Sequence, residues 1–212
     1  MNKTHTLKSK KGFYLILAFL FLSVLIFLFE NIINRWDVNI TYFFNAHRIA
    51  ELDKTVNFIS NLATPMIIAS IALVLFYYRT NKEQLYIDIA KKMLFSFALC
   101  ASLTFISKNI IHRERPFKVS SEIQKLGSGG SYSFPSGHTA DAFVLYFTLP
   151  LAFSNNKKVP FLCGLWAIFI AFSRLYLGVH YITDIIASIL LAKLSVEIAA
   201  HFIQKKMSSK TE

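Results

Sequence analysis

The sequence predicts an all-α, polytopic bundle of six transmembrane helices, and three observations carry that prediction. Hydrophobic residues make up 54% of the 212 and the mean hydropathy is +0.46, too apolar for a soluble chain of this length. Apolar runs close to the ~20 residues needed to cross a bilayer core recur six times along the chain. Strand-type alternation is missing, and in lipid every backbone N–H and C=O must be satisfied within the protein, which makes runs of this kind helices.

The first run, residues 13–29, is uncharged and follows Lys3, Lys8, Lys10 and Lys11, the order of charges that also begins a secretory leader. Glu30 to Trp36 is bulky and polar and offers no small-residue cleavage site, so the segment is expected to stay as an anchor. Residues 56–78, 92–108, 139–154, 159–173 and 181–203 supply the other five spans, the third to fifth being short. The resulting organisation is a basic N-terminus at 1–12, a six-span domain at 13–204 and a polar tail at 205–212 that is expected to fray. Trp36, Tyr42, Tyr78 and Tyr181 read as interfacial anchors, and the Phe-rich faces as packing and lipid-facing surface.

A net charge of +11 invites a nucleic-acid reading, but the basic residues are scattered among the connections rather than gathered on one soluble face. Topology accounts for them instead. Six spans place Lys3, Lys8, Lys10, Lys11, Arg79, Lys82, Lys91, Lys92, Lys157, Lys158, Lys205, Lys206 and Lys210 on one side, thirteen in all. The other side carries nine, of which Lys108, Arg115 and Arg174 belong to motifs described below. The positive-inside bias then puts both termini in the cytoplasm and the motif face on the periplasmic or extracellular side. Cys100 and Cys163 both fall inside spans, where a thiol acts as a small hydrophobe. No metal-binding signature and no internal repeat is found, and no cofactor is called for.

Three polar signatures stand at span ends on that outer side. In the run from Lys108 to Pro116, Lys108 and Arg115 are seven apart, two turns of a helix, so both are expected on one face with Pro116 ending the helix. Pro135-Ser136-Gly137-His138 leads straight into the fourth span, so its free amides form a helix N-terminus suited to an anion. There Ser136 offers a hydroxyl, Gly137 lets the backbone approach an oxygen, and His138 is placed to give or take a proton. Arg174 closes the fifth span, Gly178 gives the following turn room, and His180 and Asp184 are four apart at the entrance of the sixth. A carboxylate in that relation fixes the imidazole tautomer and leaves the other nitrogen as a nucleophile. Each signature alone has a plainer reading: snorkelling cations, a capped helix start, an interfacial histidine. Together they place two imidazoles, a carboxylate and three cations on one face, which describes a phosphate-ester site.

The combined pattern, Lys108-x6-Arg115-Pro116, Pro135-Ser136-Gly137-His138 and Ser173-Arg174-x5-His180-x3-Asp184, resembles the type 2 phosphatidic acid phosphatase superfamily, which also includes the vanadium haloperoxidases. The signatures cover Lys108 to Asp184, and the hydrophobic layout extends the likeness over most of the chain. The resemblance implies that His180 attacks phosphorus to form a phosphohistidine while Asp184 orients it. It further implies that His138 protonates the leaving oxygen and then activates water. Lys108, Arg115, Ser136, Gly137 and Arg174 would hold the nonbridging oxygens, without a metal, in a site that vanadate would occupy.

A phosphate pocket at the bilayer edge suits a membrane lipid phosphate as substrate. Undecaprenyl diphosphate is the expected one, with phosphatidylglycerol phosphate, phosphatidic acid and lipid A phosphates as alternatives. One departure bears on this, since many undecaprenyl diphosphatases of the superfamily carry Asp where Gly137 stands. A lipid phosphotransferase and a noncatalytic lipid carrier are the rival classes. The connection from Phe117 to Tyr132, with Lys118, Lys125 and the Gly127-Ser128-Gly129-Gly130 stretch, is either a headgroup-selecting element or a solvated linker. Asp141 lies within reach of supporting His138, and Lys193 and Glu197 are spaced for a local ion pair.

Overall fold

The computed structural model describes residues 14–208 apart from 22, 25, 27 and 29, with backbone alone for 30, 31, 34 and 204–208. The helices with defined bounds are α1 Glu30–Ala46, α2 Asp53–Asn61, α3 Ala63–Asn81, α4 Gln84–Ile111, α5 Pro116–Val119, α6 Gly137–Thr148, α7 Lys158–Tyr176 and α8 Ile182–Ser208. Short 3-10 turns stand at Ala50–Leu52 and Leu149–Phe153, residues 14–21 are helical, and the described residues contain no strand. Four segments are long and apolar enough to cross a membrane: Ala63–Asn81, Gln84–Val119, Lys158–Tyr176 and Ile182–Ile203. The protein is therefore an all-helical, multi-pass membrane protein. The basic segment 1–12, part of the expected first span and residues 209–212 lie outside the described residues.

Several expected boundaries move, each for a local reason. The run 56–78 is two helices, because Pro65 has no N–H to donate and is tolerated only in the first turn of a new helix. Leu62 marks the break, its N–H tightening onto Ile59 O at 3.0 Å. Helix α4 does not carry Lys108 and Arg115 on one face, and Pro116 does not end it. It stops at Ile111, where His112 takes a left-handed φ of 53° and donates its N–H to Lys108 O at 3.1 Å. Arg113 to Arg115 run non-helically, and Pro116 instead opens α5 at its first position, where a missing N–H costs nothing. Helix α8 continues to Ser208, so the expected tail is helical in its backbone to that point.

Helix α6 is the centre of the bundle. Although only 12 residues long, it packs against α3, α4, α7 and α8, while α4 and α8 close on each other beside it. Small side chains allow this, with Ala140, Ala142, Ala187 and Ala192 all buried where backbones approach. Ile67, Val74, Met93, Val144, Leu145 and Leu191 fill the rest of that core. The outward faces carry exposed Phe58, Phe76, Phe105, Phe161 and Ile168, as expected of lipid-facing surface. Cys100 and Cys163 are buried free thiols, consistent with packing roles.

Helix α1 has an inverted amphipathic pattern. Asp37, Thr41 and Asn45, each one helical turn apart, are buried, while Trp36, Tyr42 and Phe43 face outward. Its polar stripe therefore points into the protein, an arrangement that needs built partners to offset desolvation.

Candidate active site

The third signature is held by the turn between α7 and α8. Gly178 sits at φ +69°, and a Cβ there would strike the Gln124 carbonyl oxygen and lie 2.8 Å from Ile123 Cγ2. Asn45 Nδ2 secures the same turn by donating to Tyr176 O at 2.8 Å and Gln124 O at 3.1 Å. Four residues after Gly178 α8 begins, and Asp184 at its third position accepts the Tyr181 N–H on Oδ2 at 3.1 Å, as a capping carboxylate does.

The same Oδ2 is 3.2 Å from His180 Nδ1, and His180 Nε2 is 3.3 Å from Arg115 Nη1. Arginine carries donors only, so Nε2 accepts, the ring proton sits on Nδ1, and that proton is donated to Asp184. Burial, and then the charges of Arg115, Lys108, Arg174 and His138, hold the His180 imidazole well below its usual range. The ring is neutral at pH 7, with a lone pair on Nε2.

Arg115 lies beside that nitrogen, and Lys108 and Arg174 are near enough to act on the ring electrostatically. Arg115 donates to Ser131 O at 2.6 Å, Val179 O at 2.8 Å and Tyr132 O at 3.3 Å; Lys108 Nζ donates to the same Tyr132 O at 2.5 Å and to Ser133 O at 3.3 Å. Chain reversal after Ile111, and not a shared helix face, brings these two together. Arg174 is fully buried in the last turn of α7, donating to Ser60 Oγ at 2.7 Å and Ser128 O at 2.8 Å, while its Nε has no partner among the described residues. Among the described residues none of the three has a carboxylate at ion-pair distance. Their acceptors are neutral groups, backbone carbonyls with the Ser60 hydroxyl and the His180 ring, so the cluster keeps a positive charge that an anion would balance.

Ser136 is the N-cap of α6, accepting from Thr139 N at 3.4 Å and Thr139 Oγ1 at 3.0 Å. Both bonds use its oxygen as acceptor, which leaves its own O–H to donate. Gly137 and His138 are the first two helical residues, where the N–H groups are unpaired and the dipole end is positive, and His138 lies within electrostatic reach of Arg174, Arg115 and Lys108. No hydrogen-bond partner holds His138 among the described residues. No group of three or more His, Cys, Asp or Glu suited to a metal ion occurs among them.

Two groups escape the motif reading. Arg113, fully buried, donates to Asp184 Oδ1 at 2.7 Å, Asp37 Oδ2 at 2.5 Å and Thr183 Oγ1 at 2.6 Å. Ser60 of α2 links Arg174 to Ser173. The spacing of Asp37, Thr41 and Asn45 inside an apolar stretch was the available signal for α1. Tyr181 is not an interfacial anchor: it is fully buried, with Arg113 4.1 Å from its ring centre. Asp141 accepts from Thr64 Oγ1 at 2.5 Å, a partner on α3. Lys193 and Glu197 do pair, at 2.9 Å.

A membrane helical bundle that closes a histidine–aspartate pair, a second histidine on a helix N-terminus and three carbonyl-held cations into one site defines a phosphate-transferring membrane enzyme. Residues 89–208 match the PAP2 superfamily, and the chain belongs to it. It is similar to an undecaprenyl-diphosphatase of Sulfolobus acidocaldarius, 31% identical over 200 residues that cover 89% of this chain and 92% of that protein. Phosphatidylglycerophosphatase B of Bacillus subtilis is 30% identical over 69% of this chain and 70% of its own. The crystal structure of a transmembrane PAP2-type phosphatidylglycerolphosphate phosphatase from Bacillus subtilis superposes with a TM-score of 0.72 at 28% identity, covering 92% of this chain and 96% of that one. The protein is a hydrolase of phosphoric esters.

Proposed function

We propose that this protein is a metal-independent lipid phosphate or diphosphate phosphatase working through a phosphohistidine, with undecaprenyl diphosphate as its substrate. The observation that carries the reading is the neutral His180 Nε2 set among three cations that have no carboxylate partner among the described residues. In the first step the Nε2 lone pair attacks phosphorus, the bond to the lipid-side oxygen breaks, and protonated His138 gives its proton to that oxygen. Asp184 supports the charge that appears on the His180 ring. In the second step neutral His138 takes a proton from water, the resulting hydroxide attacks phosphorus, and the P–N bond breaks to release phosphate. Lys108, Arg115 and Arg174, with the Ser136 hydroxyl and the Gly137 amide, hold the nonbridging oxygens as charge develops.

The same reading keeps six crossings. Helix α6 and the 3-10 turn that follows it together span ~28 Å by their rises per residue, which matches a hydrocarbon core. The thirteen-to-nine distribution of Lys and Arg supports an active site on the periplasmic or extracellular side of the plasma membrane. Phosphatidylglycerol phosphate is the second substrate reading. Gly137 favours it, as does the near-complete superposition on a phosphatase named for that lipid.

The test is phosphate release by purified protein in detergent, with a chelator present, across undecaprenyl diphosphate, phosphatidylglycerol phosphate, phosphatidic acid and lipid A phosphates. Selective hydrolysis of undecaprenyl diphosphate is expected, with His180→Ala at the protein-free level. Turnover surviving in His180→Ala would remove the phosphohistidine, and transfer of phosphate to an added lipid alcohol in place of water would mark a phosphotransferase.

A further inference from the structure

The His180–Asp184 pair does not end at Asp184. Arg113 stands between two carboxylates, 2.7 Å from Asp184 Oδ1 and 2.5 Å from Asp37 Oδ2, and all three side chains are almost completely buried. Thr183 completes the group: its Oγ1 takes the Arg113 donor and itself donates to Asp37, and its backbone N–H is 3.4 Å from Asp37 Oδ1. Asp37 lies on α1, more than fifty residues before the region that matches the superfamily, so nothing in the signatures points to it. Further along the same polar stripe, Thr41 donates to the His180 carbonyl oxygen at 3.4 Å.

We infer that Asp37 and Arg113 are positioning residues for the histidine–aspartate pair, a relay running Asp37, Arg113, Asp184, His180 that ties α1 to the reacting nitrogen. This rests on the phosphohistidine reading above. The physical reason is charge balance in a dry site. Arg113 fixes Asp184 Oδ1 so that Oδ2 faces Nδ1, but a lone guanidinium there would also draw Asp184's charge away from the imidazole. Asp37 neutralises the far side of Arg113, leaving Asp184 to support the positive charge that His180 gains on attack. Asp37 and the Arg113 guanidinium reach the site through Asp184 and Thr183, so both are expected to act on the chemical step and not on phosphate binding.

The experiment uses full-length Asp37→Asn, Asp37→Glu, Arg113→Lys and His180→Ala protein, with phosphate release giving kcat and KM and vanadate as the probe of the oxyanion site. Asp37→Asn is expected to lose about 10- to 100-fold in kcat, with KM and vanadate inhibition within about threefold of wild type, and Asp37→Glu is expected to recover most of the loss. If Asp37→Asn does not accumulate as folded protein, Arg113→Lys, which keeps the charge but loses the two-pronged fork, is expected to show the same split. Wild-type kcat in the folded variant, or a kcat loss matched by an equal loss of vanadate inhibition, overturns the proposal. Asp37→Asn at wild-type rate beside an inactive His180→Ala removes the relay alone, whereas an active His180→Ala removes the phosphohistidine reading and the relay with it.

Discussion

His180 holds its proton on Nδ1 because Asp184 and Arg115 leave no other arrangement, and burial with three nearby cations keeps the ring from taking a second. The sign of its response to ligand follows. A bound tetrahedral anion offsets Arg115, Lys108 and Arg174, so imidazolium becomes less costly and the pKa rises. Nitrogen NMR of histidine-labelled protein is expected to find His180 still neutral at pH 5.5 without anion, and to find its midpoint moved upward by vanadate. Titration of the anion-free ring near its ordinary value of ~6.5 would contradict the buried, cation-flanked geometry. At Gly178 the constraint is steric. Gly178→Ala forces a side chain into a left-handed backbone and onto the Gln124 carbonyl. The expected cost is about 1–3 kcal/mol, read as a lowered thermal midpoint in detergent.

At the scale of elements, the connection between α5 and α6 is part of the site and not a free linker. Backbone carbonyls of Ser128, Ser131, Tyr132 and Ser133 are the acceptors for Arg174, Arg115 and Lys108. Its near end is pinned by Gln124 to Asn45 and Arg48 of the α1 side, and by Leu126 N–H to Leu177 O at 3.1 Å. A Cβ at Gly129 would lie 2.6 Å from Arg115 Nη1, so Gly129→Ala must push that guanidinium aside. Because the displaced group binds phosphate in the proposed mechanism, KM and the vanadate inhibition constant are expected to rise together by about 5- to 20-fold, roughly the 1–2 kcal/mol of one charge-assisted hydrogen bond. An unchanged vanadate constant would show that Arg115 needs no such clearance.

For the whole molecule the chief question is which side of the membrane the site faces. The ends of α4 and α7 and the starts of α6 and α8 gather on one side, whereas the turn at 154–157 belongs to the other. Ser121 and Asn155 are exposed on these opposite sides, and the native thiols Cys100 and Cys163 are buried. In intact cells a membrane-impermeant maleimide is therefore expected to label Ser121→Cys at once, and Asn155→Cys only after permeabilisation. The reverse pattern would invert the proposed topology.

Composition and hydrophobic run length were enough to determine an all-helical membrane protein, because a bilayer core admits little else. The residues proposed for the site, Lys108, Arg115, Ser136, Gly137, His138, Arg174, His180 and Asp184, could be picked out in the sequence because polar and charged groups at the ends of apolar runs stand out there. Tertiary structure alone decided how they meet. Pro65 split one expected span and His112 ended α4 early, because local backbone geometry overrides hydrophobic periodicity. Asp37 stood in a visible one-turn stripe with Thr41 and Asn45, but only the fold showed that it meets Arg113, because an ion pair between residues 76 apart leaves no mark of its partner in the sequence.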